Sequence, residues 1–135
     1  MLPRMIVRTI DEIAGTERDV SGEGWRSRRL IRRDDGVEHS VHYTEISAGS
    51  EQHLWYKHHY ETNFCVSGEG EVVNVATGES HAVRPGTIYV LDEHDRHILR
   101  AHTDVVLVCT FWPALAGDEK HDADGSYLPA ESPAG

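Results

Sequence analysis

Three side chains that could together hold a metal ion come from three short, β-like segments of the chain. Glu61 ends the run YKHHYE, Tyr89 ends PGTIY and His97 ends DEHDRH. A carboxylate, a phenol and an imidazole supply oxygen and nitrogen donors, and three ligands leave coordination positions open, as at a catalytic first-row metal. Most of the ten histidines are expected to be ordinary surface or core residues, so the metal site is a hypothesis that needs its structural context.

Short strand-like segments separated by turns are the elements that must position these residues. Turn chemistry occurs at DDG (34–36), AGS (48–50), ATG (76–78) and RPG (84–86). The predicted strands are 25–33, 40–47, 52–57, 60–66, 71–75, 81–83, 88–91, 97–101 and 105–112. Thr9 and Glu12 form a capping pair that predicts one helical turn over 10–14. This pattern indicates an all-β sandwich or barrel, and a small closed barrel can gather the three donors at one end of its interior.

At 135 residues the chain is expected to be a single domain. Residues 1–4 are expected to be an extension and residues 5–116 the barrel. The Gly-, Asp- and Pro-rich stretch 117–135 is expected to be a lid or a solvated tail.

The charge balance of the chain indicates which partners are disfavoured. Lys and Arg number 13 against 23 Asp and Glu, a formal net charge of −10, which disfavours a nucleic-acid partner. Arginines 26, 28, 29, 32 and 33 are the one basic cluster, and we expect a solvated strand face there rather than an anion site. No apolar run is long enough to span a membrane and no signal peptide is evident. Cys65 and Cys109, in apolar runs, are expected to be buried thiols of a cytoplasmic protein.

Strand alternation groups further residues. It places three pairs on shared faces: Trp25 with Ser27, His59 with Glu61, and Cys109 with Phe111. Polar groups are costly in a plain core unless they are paired. Such faces fit the wall of a ligand cavity or a half-buried sheet face with satisfied hydrogen bonds, and alternation does not separate the two.

Two spacings resemble the motifs of the cupin superfamily: Glu61-x6-Gly68, and Pro85-Gly86 followed by His97. The chain departs from the common pattern, because LWYK (54–57) replaces the usual His-x-His pair and DEHD (92–95) replaces a Pro-rich turn. Within that superfamily the chain resembles the ectoine synthase family, on segments that run from about residue 5 to 129. They are YKHHYE (56–61), GEGEV (68–72), PGTIY (85–89), LDEHDRH (91–97) and DGSY (124–127). Trp55, where relatives often carry a histidine, is interpreted as a packing residue.

The resemblance implies a fold, a reaction and a set of site residues. The fold is a jelly-roll-like cupin barrel, and the reaction is the cyclising dehydration of N-γ-acetyl-L-2,4-diaminobutyrate to ectoine, a hydro-lyase activity. A homodimer is expected on separate grounds, because the exposed strand edges of a barrel and the apolar run MIV (5–7) need cover. The implied ligands of Fe2+, or of another divalent first-row metal, are Glu61, Tyr89 and His97. The implied wall and lid of the substrate cavity comprise Trp25, Ser27, Thr44, Tyr56, His59, Cys109, Phe111, Glu119 and His121. Tyr56, His59 and Tyr89 are the candidates for proton transfer.

Two other classes of function stay open on the sequence. One is a metal-dependent cupin of different chemistry, such as a small-molecule dioxygenase or isomerase. The other is a non-catalytic ligand-sensing barrel. Sensors are usually fused to a DNA-binding helical unit, and no stretch of this sequence reads as a helix-turn-helix.

Overall fold

The computed structural model describes residues 5–115, which form two antiparallel sheets. A single helical turn, α1 (Ile10–Ile13), precedes the strands, and a 3₁₀ turn covers Arg33–Asp35. The strands are β1 (Asp19–Gly22), β2 (Trp25–Ile31), β3 (Ser40–Ile46), β4 (Glu51–Leu54), β5 (Tyr60–Ser67), β6 (Gly70–Asn74), β7 (Ser80–Val83), β8 (Ile88–Leu91), β9 (His97–Ala101) and β10 (Val105–Trp112). The predicted extension 1–4 and lid or tail 117–135 lie outside the described residues.

The two sheets enclose one apolar core. Their strand orders are β1-β2-β3-β10-β5-β8 and β4-β9-β6-β7, so β10 lies between β3 and β5 in the larger sheet. Along β10 the inward residues Val105, Leu107, Cys109 and Phe111 are buried and alternate with partly exposed ones, as expected for one face of a strand. They meet residues of the smaller sheet such as Leu99 in one cluster. The all-β cupin barrel predicted from the sequence is confirmed.

The predicted elements agree with the structure except at some bounds. Thr9 caps α1, and its side chain exchanges hydrogen bonds with Glu12 as predicted. All nine predicted strands are present, but β2 ends at Ile31 and β4 at Leu54, so residues 55–57 belong to a loop. Strand β1 was missed, because DVSG has little apolar content. No helix among residues 5–115 has the length and apolar character needed to cross a bilayer.

Two glycines after β5 allow the strands to approach closely. A Cβ at Gly68, where φ is +87°, would lie 2.0 Å from the carbonyl oxygen of Asp104. A Cβ at Gly70 would lie 2.2 Å from the carbonyl oxygen of Arg100 on β9. Only glycine fits these positions, which explains the GEGEV run and fixes the start of β6 against β9.

Asp35 ties the N-terminal segment to the barrel. Its buried carboxylate accepts hydrogen bonds from the Arg18 and Arg8 guanidinium groups at 2.9 and 3.1 Å. It also accepts one from the Arg32 backbone N–H at 2.9 Å. Burial alone would raise the pKa of Asp35, but these hydrogen bonds outweigh it and hold the pKa well below its usual range.

The arginine cluster lies only in part on a solvated face. Arg26 and Arg28 form ion pairs with Asp19 and Glu45. Arg29, on the other face of β2, is fully buried with 0% of its surface exposed. The expectation of a solvated strand face is therefore wrong for Arg29, since alternation from the outward Arg26 and Arg28 places it on the inner face with Ser27. The two cysteines are free and buried, as expected.

Candidate functional site

A cavity of about 40 Å³ lies between the two sheets. Both sheets contribute to its wall, the larger one through β2, β3, β5, β8 and β10 and the smaller one through β4 and β9. Eight predicted site residues line it: Trp25, Ser27, Thr44, Tyr56, Glu61, Tyr89, Cys109 and Phe111. The interpretation of the shared faces as a cavity wall is thus supported over that of an ordinary half-buried sheet.

Strand register brings the residues of the larger sheet together. Glu61 on β5 lies opposite Phe111 on β10, and Asn63, two residues further on the same face, lies opposite Tyr89 on β8. Side chains of directly opposed antiparallel residues lie about 5 Å apart at their Cβ atoms. Glu61 and Tyr89 are therefore diagonal neighbours on adjacent strands, at the β5–β8 side of the cavity.

Glu61 is a buried carboxyl group with a strongly perturbed acidity. Only 4% of its surface is exposed, and burial raises its pKa from the usual 4.5 to about 8, partly opposed by the Asn63 amide. In a low-dielectric cavity the charged carboxylate needs a nearby cation. Glu61 thus has the environment of a metal ligand or of an acid–base group.

Tyr89 lies between the cavity and a second, more open groove that contains His97. The groove is bounded by β6, β7 and β8, and both Tyr89 and His97 line it. Burial, together with the neighbouring charge of Glu61, raises the pKa of the Tyr89 phenol well above its usual value. Without a cation the phenol therefore stays protonated, whereas a bound cation would favour the phenolate.

His97 is oriented so that one ring nitrogen can accept a bond. Its Nδ1 lies 2.9 Å from the backbone carbonyl oxygen of Asp95, which can only accept, so Nδ1 carries the proton and Nε2 the lone pair. That Nε2 is buried and has no hydrogen-bond partner among the described residues. Burial lowers the His97 pKa despite the Asp95 carbonyl, which keeps the ring neutral. A neutral imidazole held through its other nitrogen is typical of metal-binding histidines.

The donor set fits a first-row divalent metal. Within residues 5–115 no three His, Cys, Asp or Glu side chains lie close enough to hold an ion, so a three-ligand site here needs a different donor type. The Tyr89 phenol is such a donor, at the wall that it shares with Glu61. Two oxygens and one imidazole nitrogen match Fe2+ or a neighbouring metal.

The loop before β5 holds two aromatic groups against the cavity. Tyr56 is 4% exposed and its ring packs edge-on against Phe111, at 5.2 Å between centroids, and obliquely against His97 at 5.8 Å. His59 is fully buried and contacts Phe111 edge-on at 6.4 Å. His59 and His97 therefore lie next to the cavity wall rather than in it.

His94 fastens this loop to the segment that precedes His97. Its Nδ1 lies 2.8 Å from the Tyr56 carbonyl oxygen, and its ring stacks on Tyr60 at 5.1 Å. It adopts φ +55°, which is uncommon for a residue with a Cβ. Such backbone strain concentrates near functional sites, and here the hydrogen bond and the stacked ring compensate it.

Trp55 lies on the outer side of the same loop. The Lys57 ammonium lies 4.6 Å and the Arg96 guanidinium 5.2 Å from its ring centroid. These cation–π contacts support its interpretation as a packing residue. The metal hypothesis does not involve it.

Two buried polar residues of the cavity wall were missed by the sequence analysis. His42 is 1% exposed and its ring lies 5.1 Å from that of Phe111. Asn63 is 1% exposed and adjoins Glu61. Each lies two residues from a predicted site residue, so strand alternation from Thr44 and Glu61 would have found both. Glu119 and His121, predicted to close the cavity, lie outside the described residues.

Comparison with known proteins assigns the chain to a family. A family model described as ectoine synthase matches residues 5–131. An L-ectoine synthase from Desulfosudis oleivorans is 51% identical over 124 residues, which cover 91% of this chain and 96% of that protein. The crystal structure of ectoine synthase from P. lautus has a TM-score of 0.84 and 42% identity, covering 96% of this chain and 92% of that one. A Cupin 2 conserved barrel domain protein from Salinispora arenicola, 18% identical with a TM-score of 0.65 over 82% of this chain and 90% of that one, shares the fold.

Proposed function

The chain belongs to the ectoine synthase family, and from this premise we propose that it converts N-γ-acetyl-L-2,4-diaminobutyrate into ectoine as a metal-dependent hydro-lyase. The observation that carries this proposal is the buried carboxyl group of Glu61, which shares with the Tyr89 phenol the wall of a cavity lined by aromatic side chains. Such a site offers a place for a cation and shields a small substrate from water.

In the proposed site Fe2+ is held by Glu61, Tyr89 and His97. The raised pKa of the buried Glu61 carboxyl group and the unpartnered Nε2 of His97 support this assignment. Bound iron would supply Lewis acidity to an acetamide carbonyl, which amide resonance makes a poor electrophile. The other parts of the reaction fall to the side chains around it.

Ring closure needs the substrate in a folded conformation. The α-amino nitrogen forms a bond to the acetamide carbon, and a C=N bond forms as the carbonyl oxygen leaves as water. The two protons that the oxygen gains balance two lost from nitrogen, one from the attacking amine and one as the C=N bond forms. Trp25 on β2 and Phe111 on β10, two strands apart in the larger sheet, supply flat apolar surfaces that favour a compact conformer with the amine close to the carbon. For an intramolecular reaction this positioning is worth a large part of the rate.

Proton transfer is assigned to residues that adjoin both the cavity and the proposed metal ligands. The Tyr56 ring packs on His97 and lines the cavity, and His59 is buried against Phe111. One group must take a proton from the attacking amine and one must deliver protons to the departing oxygen. Tyr56, His59 and Tyr89 are the groups we propose for these steps.

We propose that the enzyme is a homodimer. Strand β8 is the last strand of the larger sheet, and its outward residues Ile88 and Val90 are 61% and 51% exposed. Met5 and Val7 in the N-terminal segment are 89% and 79% exposed. An open strand edge beside apolar side chains favours pairing with another chain. The two buried free thiols fit a reducing compartment, so we place the enzyme in the cytoplasm.

The direct test is incubation of the iron(II)-loaded protein with N-γ-acetyl-L-2,4-diaminobutyrate, with the cyclic product followed by chromatography. Product formation that is lost on chelation and restored by iron(II) supports the proposal. Glu61→Ala should abolish both iron binding and product, whereas Glu69→Ala, a change at an exposed position, should affect neither. Absence of product, or oxygen consumption by the iron form with another substrate, would favour a different cupin chemistry.

A further inference from the structure

Asn63 is a polar residue at an interior position of a strand that is paired on both sides. It lies on β5, on the same inward face as Glu61 and Cys65, and 1% of its surface is exposed. It also lines the cavity. Asn is disfavoured in strands, where β-branched and aromatic residues fit better. A residue that opposes both the local preference and its own burial is expected at a site where function outweighs stability.

The Asn63 amide has no partner that explains its burial. Neither Nδ2 nor Oδ1 makes a hydrogen bond of normal geometry with a group in residues 5–115. The residue opposite on β10 is Cys109, whose thiol donates instead to Thr44 Oγ1 on β3 at 3.6 Å. A buried amide without partners costs stability, and an apolar side chain of the same shape would avoid that cost. The amide therefore points to a partner that becomes available when the site binds its ligand.

Two of the proposed metal ligands flank Asn63. Glu61 precedes it by two residues, and Tyr89 lies directly opposite it on β8. The amide adjoins the Glu61 carboxyl group. A carboxylate that gives one oxygen to a metal retains lone pairs on its second oxygen, and carboxylates that bind metals are themselves held by hydrogen bonds. Asn63 Nδ2 carries two N–H donors next to this carboxyl group.

We propose that Asn63 is a positioning residue that orients Glu61 for the metal, by donating an Nδ2–H hydrogen bond to the carboxylate oxygen that the metal leaves free. Such a bond is charge-assisted, because its acceptor is an ionised carboxylate. It also restricts the rotamers of Glu61, so less side-chain entropy is lost when the metal binds. The amide thus destabilises the metal-free protein and strengthens metal binding. This inference rests on the metal site of the proposed function.

The test measures metal affinity and stability separately, without turnover. Iron(II) is titrated anaerobically into wild type and variants against a competing chelator, and Tm is measured on the chelator-treated proteins. Asn63→Leu keeps the approximate shape and removes the amide. It should weaken iron(II) binding about 10- to 100-fold, while its metal-free Tm stays equal to or above that of wild type. Thr62→Val, a nearly isosteric change on the outer face of the same strand, is the matched control and should bind iron(II) as wild type does.

Two further variants keep the result independent of a folding defect. Asn63→Val suits a strand and lacks the amide, so it should show the same loss of affinity if Asn63→Leu does not fold. Asn63→Gln retains the amide on a longer side chain and should keep part of the affinity. An unchanged affinity in the variants without the amide overturns the inference. A loss of affinity that occurs only together with a lower metal-free Tm also overturns it, because packing alone would explain that result.

Failure of the proposed function gives a different pattern. A wild type that binds no iron(II), or that binds it equally well after Glu61→Ala, would refute the metal site and this inference with it. Iron binding that depends on Glu61 but not on Asn63 would refute the inference alone and leave the proposed function standing.

Discussion

Replacing Glu61 with Gln should stabilise the metal-free protein at alkaline pH while it abolishes metal binding. Glu61 is 4% exposed and burial raises its pKa from 4.5 to about 8. A carboxyl group with a raised folded-state pKa carries no penalty below its unfolded pKa of 4.5. The free-energy cost of ionising buried Glu61 grows as pH rises above 4.5 and is complete above about pH 8. Gln has a similar shape and no charge, so it escapes that penalty.

The size of this stabilisation follows from the difference between the ordinary pKa of Glu61 and its pKa in the folded protein. At about 1.36 kcal/mol for each pH unit between 4.5 and about 8, ionised Glu61 costs the metal-free protein roughly 4 to 5 kcal/mol. For a chain of this length that corresponds to roughly 10 °C or more in Tm. Iron should narrow this difference, because metal at 100 times Kd stabilises wild type by about 2.7 kcal/mol and has no full ligand set in the variant.

The assay is thermal unfolding of chelator-treated wild type and Glu61→Gln between pH 5 and pH 9. The difference in Tm in favour of the variant should widen toward pH 9, and added iron(II) should raise Tm only for wild type. Glu69→Gln, at an exposed position, should show no such pH dependence. A difference in Tm that stays constant from pH 5 to pH 9 would refute the argument that Glu61 is a desolvated carboxyl group.

Four further changes test other parts of the structure. Asp35→Asn should lower the free energy of unfolding by about 3 kcal/mol at pH 7 in urea titrations. Because the native pKa is held well below the unfolded value of 3.8, this difference should begin to shrink only below about pH 4 and be lost as pH falls toward the native pKa. His97→Ala should remove most of the iron by elemental analysis, whereas His94→Ala, whose ring binds a backbone carbonyl, should retain nearly all of it. A chain that ends after Leu115 should stay folded by circular dichroism and keep its iron. It should nevertheless cyclise substrate at least about tenfold more slowly than the full-length protein. An activity close to that of the full-length protein would show that the removed segment is not a lid. Ile88→Lys on the open edge of the larger sheet should convert dimer to monomer in light scattering, and a wild type that is already monomeric at micromolar concentration would contradict the dimer.

Tertiary contacts of Ala114 and Leu115 decide where the chain can be shortened without weakening the barrel. The sequence predicted no strand after Pro113, and the two described residues that follow it, Ala114 and Leu115, lie outside any strand. Ala114 and Leu115 are nevertheless 3% and 1% exposed, and their backbone N–H groups donate to the Glu38 carbonyl and the Ser40 hydroxyl. A chain ended at Pro113 would lose these buried contacts, so loss of activity would not distinguish a lid from a weakened barrel.

The candidate site was predictable where residue type and local pattern carry the information. Turn residues and alternating strands predicted the barrel, and the runs around Glu61, Tyr89 and His97 predicted the three proposed ligands. Alternation could also have given His42 and Asn63. Alternation could not predict the environment of Arg29. The pattern identifies which residues face the interior, but it does not show which groups contact a charge that lies there.

The sequence by itself determined the all-β fold, the family and the residue types of the site, since these depend on local turn chemistry, period-two alternation and motif spacing. Only the tertiary structure decided which ligand atoms have a lone pair available for a metal and which charged groups are removed from water. The carbonyl of Asp95 sets the His97 tautomer, and the pairing of β2 with β3 and of β3 with β10 links Arg29 through Ser27 and Thr44 to Cys109. These properties depend on distances between residues far apart in the chain, which a one-dimensional pattern does not contain.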